Sequence, residues 1–409
     1  MKPRVLFVTH RVPWPPDRGD RIRTWNILHH LSRRANVDVA CLADEPVTKS
    51  TRRRLQSVSG RLAIIPHSGR RRYIQGLLSG AAGRSATEGL FRNHALLDVL
   101  RQWSRKTRWQ GVLASSSGVA QYIQPDVIPD AKRRWVDLID VDSQKWLDYQ
   151  RRSRWPVFAL YGWEGRRLRQ LECQLAEASD RLLVVSEAER DLFRSFCSAG
   201  DIQAVSNGVD TDYFHPDEAR RPEPHSCVFV GVMNYLPNVD AVTWFAEAVW
   251  PEVRALYPDA VFRIVGKSPS ADVEALAGRD GIEVTGPVDD VRPYLHRSSC
   301  AVIPLRIARG VQNKVLEAMA CGRPIVCSSE PLKGIPAEPG VHLLQADSKQ
   351  DWVDRLKHLF SDPSFGDELG LAASTMVRQH YRWETCLNAL DELTGMRDVH
   401  RMSFREALA

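Results

Sequence analysis

The sequence has no uninterrupted apolar run near the roughly 18 to 20 residues that span a bilayer. Its start, Met1-Lys2-Pro3-Arg4 before Val5-Leu6-Phe7-Val8, turns polar too soon for a secretory signal, so the expected location is the cytoplasm. It also lacks any Cys-x-x-Cys pair or cysteine grouped with histidine. The eight cysteines, 41, 173, 197, 227, 300, 321, 327 and 386, are scattered, which argues against a zinc site or a disulfide framework. Reduced core thiols and no metal cofactor are expected. No recognised nucleic-acid-binding motif is present either, so a nucleic-acid partner is not expected.

What is present is enough apolar material for a full core. The 409 residues are 43% hydrophobic and 26% charged, and this length suggests two domains. The net charge of +6 conceals an asymmetry. Residues 1–200 hold 35 Lys and Arg against 20 Asp and Glu, whereas residues 201–409 hold 21 against 30. The basic half suits a polyanion, phosphate or anionic lipid, and the acidic half suits solvent.

Short runs rich in Val, Ile and Leu alternate with helical spacing, the pattern of a parallel sheet covered by helices on both faces. In the first half the runs predict strands near Val5–Thr9, Val37–Leu42, Leu62–Pro66, Val112–Ser115, Trp135–Ile139 and Arg181–Val185. In the second half they predict Val228–Val230, Val261–Val265, Ile282–Thr285, Ala301–Pro304 and Ile325–Cys327. The expected fold class is α/β, with Rossmann-like domains over 1–206 and 225–380 and a turn-rich linker at 207–224. A tail over 381–409 carries a last helix that could return to the first domain. Two such domains are expected to meet across a cleft, with ligands beyond the carboxyl ends of the strands.

Several turns fit that position. Gly19 lies where the first strand gives way to a helix, and Arg21 or Arg23 could add charge beside it; a plain loop is the alternative. Gly231, Gly266 with Lys267, and Gly286 each follow a strand of the second half, and Asn234 stands in the loop after Gly231. Three such glycines on one edge favour a ligand. The richest segment is Pro304-Leu305-Arg306-Ile307-Ala308-Arg309-Gly310-Val311-Gln312-Asn313-Lys314, which leads into a helix ending before Gly322-Arg323-Pro324. Its loop and helix start, Gly310, Val311, Gln312 and Asn313, offer N–H groups to a diphosphate, with Arg309 and Lys314 as cations. Glu317, one turn on, is placed to accept two hydrogen bonds from ribose hydroxyls, or is simply a solvated helix residue.

The runs Lys314-x-Leu316-Glu317-Ala318-Met319-Ala320-x-Gly322-x-Pro324 and Asn207-Gly208-Val209-Asp210-x-x-x-Phe214-x-Pro216 resemble glycosyltransferase family 4, retaining enzymes of the GT-B fold. The opening Pro13-x-Pro15-Pro16-x-x-Gly19-Asp20-x-x-Arg23, the run Asp137–Trp146 and Pro237-Asn238-Val239-Asp240-Ala241 resemble a narrower subgroup, sugar transferases associated with exosortase systems and exopolysaccharide assembly. The resemblance implies a UDP- or GDP-sugar donor held by the second domain and a lipid-linked or polysaccharide acceptor held by the first. It implies that Glu317 binds ribose and that no metal is needed.

The chain departs from the family at two places. Arg309 stands where the family carries a glutamate touching the donor sugar. After the first strand of the second domain, the usual Arg and Lys give way to Gly231-Val232-Met233-Asn234-Tyr235. Arg309 and Lys314 are expected to supply the absent charge. Asp140 and Asp142 follow a strand near the family's histidine, where a carboxylate could orient an acceptor hydroxyl or steady positive charge on the sugar; capping the following helix is the other reading. Ser186-Glu187-Ala188-Glu189 reads as a capping box. Arg70-Arg71-Arg72-Tyr73-Ile74-x-x-Leu77-Leu78 and Trp103-x-Arg105-Lys106-x-Arg108-Trp109 couple charge to apolar residues, as for an anionic leaflet, or as core-facing helices. A sugar-nucleotide epimerase, a glycoside phosphorylase and a catalytically weak nucleotide-sugar-binding protein are the alternative functions.

Overall fold

The structure is a computed structural model that describes residues 2–217 and 219–395. The apolar runs form two sheets. In the first, β1 (Arg4–Thr9), β2 (Asn36–Ala43), β3 (Leu62–Pro66), β4 (Gly111–Ser115), β5 (Arg134–Ile139), β6 (Arg181–Val184) and β7 (Ile202–Ala204) lie in the order β3-β2-β1-β4-β5-β6-β7. In the second, β8 (Glu223–Val230), β9 (Val261–Val265), β10 (Ile282–Gly286), β11 (Ser298–Ile303), β12 (Ile325–Cys327) and β13 (Leu344–Gln345) lie in the order β10-β9-β8-β11-β12-β13. Every pairing within both sheets is parallel. Parallel pairing needs a crossover, and helices supply it; the central strands are therefore buried on both faces, and Val5–Val8, Leu113, Phe229 and Ile264 are enclosed. The two edge strands β7 and β13 are absent from the sequence reading because three and two residues carry no readable period.

The chain up to Val205, together with the segment from Leu387, makes one compact unit, and Ser206–Cys386 makes the other. The start of the expected linker is bound into the second unit. Asn207, Val209 and Thr211 are buried, Asn207 Nδ2 donates to Asn313 Oδ1 at 3.0 Å, and Val209 N donates to the Tyr381 carbonyl at 2.7 Å. After the short helix Trp383–Leu387, the 3-10 turn Asn388–Thr394 lies on the first unit. There Asp391 meets His30 at 2.8 Å and Arg34 at 2.7 Å, and Glu392 accepts from Arg181 at 2.9 Å. Gly111 makes room for this return, since a Cβ there would come within 2.5 Å of the Leu393 carbonyl. The remainder of the expected tail, 396–409, falls outside the described residues. Among the described residues no helix is long and apolar enough to cross a membrane.

One ion pair ties the first unit together. Arg23, on helix Gly19–Arg34, and Asp137, on β5, are both fully buried, and the guanidinium meets the carboxylate at 2.7, 2.9 and 3.1 Å. Arg23 also donates to the Val205 carbonyl at 2.8 Å, beyond β7. Helix, strand and edge are thus joined at one residue. Removing the carboxylate strands a cation away from water, so Asp137→Ala is expected to destabilise the first unit by about 3–5 kcal/mol. Urea unfolding followed by a fluorescence change assigned to that unit measures this, and a loss under about 1 kcal/mol would contradict the assigned role.

Candidate active site

In an open parallel sheet, ligands meet the carboxyl ends of the strands where the strand order reverses. In the second unit that point lies between β8 and β11. Gly231 follows β8, and a Cβ there would stand 2.8 Å from Asn238 Nδ2 and 3.2 Å from Lys314 Nζ. Gly266, after β9, has φ 149°, and a Cβ there would lie 1.7 Å from the Gly231 carbonyl. Both glycines are therefore set by the protein's own packing. Gly286 alone has open space around it, with φ 68°.

The loop after β11 leads into helix Asn313–Ala320. Gln312 Nε2 donates to the Arg309 carbonyl at 2.7 Å, and Arg306 pairs with Asp240 at 3.0 Å, so the loop is braced on two sides. Gly310 has φ 60°, and its carbonyl lies so close to Gly334 that a Cβ on the latter would approach to 2.1 Å. Val311 is buried, while Arg309, Gln312 and Asn313 are half-exposed. Asn234 is exposed beside the loop after β8, and the main-chain carbonyl of half-buried Lys267 accepts from Met233 N at 2.9 Å.

Lys314 is the centre of this arrangement. Its Nζ donates to Asn238 Oδ1 at 2.5 Å and stands 4.4 Å from the centroid of the Phe229 ring. Burial lowers its pKa to about 7 against the opposing pull of Glu317 and Cys327. Burial likewise raises Glu317 to about 7, opposed by Lys314. A cation and a carboxylate poised at neutrality one helical turn apart, at a helix start that the Gln312 side chain does not cap, suit a ligand that brings its own negative charge. Asn238 was given no role from sequence. It is buried, with Nδ2 on the Val232 carbonyl at 2.9 Å, and its only sequence signal is the Pro237-Asn238 helix start.

In the first unit the order reverses between β1 and β4. His10, after β1, has Nδ1 at 3.1 Å from the Ser115 carbonyl and Nε2 at 3.3 Å from Asp20. Arg11 joins Asp20 at 2.6 Å and Asp44 at 3.0 Å. Asp20 is held far below the usual carboxylate range, because His10 and Arg11 outweigh the burial that opposes its charge. Gly19 begins the helix here in open space. The arginines beside it are engaged elsewhere. Arg23 is sealed against Asp137, and buried Arg21 pairs with Asp17 and Glu45, so neither is available to a donor as expected from sequence.

β5 ends in strain. Ile139 has φ 72°, and Asp140 N donates to the Leu138 carbonyl at 3.0 Å, a three-residue turn of the rare positive-φ kind on a β-branched residue. The turn sends out Asp140, whose Oδ1 is buried without a partner. Burial, then the nearby Glu189 and Asp142, raises Asp140 to about 7. Asp142 is raised too by burial, with Lys145 and His10 opposing. Neither carboxylate caps helix Asp142–Arg152. Glu172 fills that role, accepting from Ser143 N at 2.9 Å and from its hydroxyl at 2.5 Å. Glu189 also departs from its expected part. Ser186 Oγ does accept from Glu189 N at 3.2 Å, yet the Glu189 carboxylate accepts from Val141 N at 2.7 Å and steadies the Asp140 turn. Among the described residues no three His, Cys, Asp or Glu side chains are grouped to hold a metal ion.

Residues 224–362 match the family described as glycosyl transferases group 1. No curated protein matches the chain. Its fold is similar to that of sucrose-phosphate synthase from Thermosynechococcus elongatus, with a TM-score of 0.71 at 15% identity over 96% of this chain and 98% of that one. HepE of Anabaena, solved with UDP and glucose, gives 0.68 at 13% identity over 96% and 100% of the two chains. WaaG, a glycosyltransferase involved in lipopolysaccharide biosynthesis, gives 0.65 at 13% over 96% and 100%. The second unit thus carries the match to the group 1 glycosyltransferase family, and the chain through nearly its whole length has the GT-B fold of these structures.

Proposed function

We propose that the enzyme transfers a sugar, with retention at the anomeric carbon, from a UDP- or GDP-sugar to a lipid-linked or polysaccharide acceptor in cytoplasmic exopolysaccharide assembly. The observation that carries this reading is Lys314, a half-buried cation at a helix start, one turn before the half-buried carboxylate of Glu317. Its ammonium and the N–H groups of Gly310 to Asn313 receive the diphosphate, Arg309 adds charge, and Glu317 accepts from the ribose hydroxyls. The bond between the anomeric carbon and the diphosphate oxygen breaks as the acceptor oxygen bonds that carbon. The leaving diphosphate takes the acceptor proton, so stabilising its charge is the protein's main task. Asp140 and Asp142 orient the acceptor hydroxyl or steady the positive charge on the ring. No metal cofactor is assigned. UDP bound to HepE supports a uridine donor, and the sequence resemblance supports the exopolysaccharide role.

Lys314→Ala is expected to weaken UDP binding at least about tenfold, near 1.4 kcal/mol, in titration calorimetry; unchanged affinity removes the proposal. Asp140→Asn is expected to leave UDP affinity intact while lowering kcat by about a hundredfold or more. Transfer at the parental rate by that variant would take Asp140 out of the reaction.

Affinity should also depend on pH. Because the pKa of free Lys314 is depressed to about 7, the side chain is mostly neutral above that pH and must gain a proton to receive the diphosphate. Binding is therefore expected to take up a proton above pH 7 and to weaken as pH rises further. Calorimetry in two buffers of different ionisation enthalpy reads this uptake, and the same heat in both would count against it.

A further inference from the structure

The first unit carries an apolar surface that its own core does not use. All large hydrophobic side chains that it exposes among the described residues fall in two short segments. One is Tyr73, Ile74, Leu77 and Leu78 on helix Arg71–Ala81; the other is Trp155, Val157, Phe158 and Leu160 at the start of helix Val157–Ala178. Leu77 is 74% exposed and Trp155 82%. Helix Arg71–Ala81 is amphipathic in an inverted sense. Its glycines face the protein, Gly76 against Leu90 and Gly80 against Trp163, while Ile74, Leu77 and Leu78, at helical spacing, face outward. A helix that turns small residues inward and leucines outward is shaped for an apolar environment outside the chain.

The two segments are fixed to each other. Glu164, buried on the second helix, accepts from Ser85 Oγ at 2.7 Å, Ala86 N at 2.8 Å, Thr87 N at 2.9 Å and Thr87 Oγ1 at 2.7 Å. That clamp holds the turn following the first helix against the body of the second. The surrounding charge is mainly positive, although Asp148 pairs with Arg151 at 3.7 Å and Glu88 with Arg84 at 3.8 Å. No Asp or Glu occurs in residues 46–87 or 149–163, while Arg70, Arg72, Arg151 and Arg154 flank the exposed residues. Arg72 lies over the Tyr73 ring at 4.9 Å and donates to its hydroxyl at 2.9 Å, leaving the ring at the boundary between charge and hydrocarbon.

We propose that this surface seats the enzyme on an anionic lipid leaflet, with Leu77, Leu78 and Trp155 entering the headgroup region and the arginines pairing with lipid phosphates. A purely aqueous role leaves the inverted helix unexplained, and an apolar partner alone leaves the excess of arginines around it unexplained. The leaflet accounts for both. The other basic-aromatic stretch read from sequence does not take part. Trp109 is buried and donates to Asp38 at 2.9 Å, and Trp103 is covered by the Arg61 guanidinium at 4.5 Å.

The test is flotation of the full-length protein with vesicles of phosphatidylcholine containing phosphatidylglycerol, and of phosphatidylcholine alone. The parent is expected to float with the anionic vesicles and several-fold less with the neutral ones. The double variant Leu77→Glu, Leu78→Glu and the single variant Trp155→Ser should each lose at least about tenfold of that binding. Arg72→Gln with Arg154→Gln should weaken it most at low salt, with the difference from the parent shrinking as salt rises. UDP titration of each variant should match the parent, which separates this surface from the transfer reading and shows that the variants fold. Equal flotation by parent and variants, no flotation at all, or an oligomer on size exclusion that the variants dissolve would overturn the proposal.

Discussion

Drawing a cation even partly out of water is costly, and the second unit half buries one at the switch point of its sheet. Lys314 is half-buried where β8, β11 and the helix after β11 converge, bonded to Asn238 and facing the Phe229 ring. The consequences pass along the backbone. Because the ammonium and Asn238 fill the space beside Gly231, that residue has no room for a side chain; because the Gly231 carbonyl then fills the space beside β9, neither does Gly266. Asn238 and Asn207 belong to the same scheme, one holding the amine and the other the first residue of its helix. Such a cation is unfavourable until an anion arrives, which is what makes the arrangement fit for binding one.

The first unit solves a different problem with similar means. Its sheet presents carboxyl groups that proximity and burial both make reluctant to ionise, so proton exchange near neutrality becomes accessible to Asp140. Strain at Ile139 aims that group, and the strain persists because the turn is held on both sides, with Val185 N on the Ile139 carbonyl at 2.7 Å and Glu189 on Val141 N at 2.7 Å.

The α/β class and most of the sheet were legible in the sequence because parallel strands, buried on both faces, read as continuous runs of Val, Ile and Leu. Edge strands of three and two residues carry no such signal. The helix start that carries Lys314 and Glu317 was legible because a helix start after a strand is local in sequence. Asn238 was not, since its partner is 76 residues away. Arg23 misled for the same reason: beside Gly19 it looks like a free charge, yet its partner Asp137 is 114 residues on. Glu189 shows how a local rule can be half right, with the hydroxyl capping as expected and the carboxylate drawn to a main-chain group in the turn after a neighbouring strand. Periodicity located elements well, while the partners of buried polar groups depended on contacts distant in sequence.

The bond between Glu189 and Val141 N links the helix after β6 to the turn after β5. Glu189 also contributes to the raised pKa of Asp140. A residue of one crossover helix thus sets both the posture and the proton affinity of a group presented by another. The ordering entropy of that turn is met during folding, so the carboxyl group it presents is already in place before any ligand arrives. Substitutions along helix Glu187–Arg194 gain a route to retune that surface remotely, through the electrostatics of its anchor.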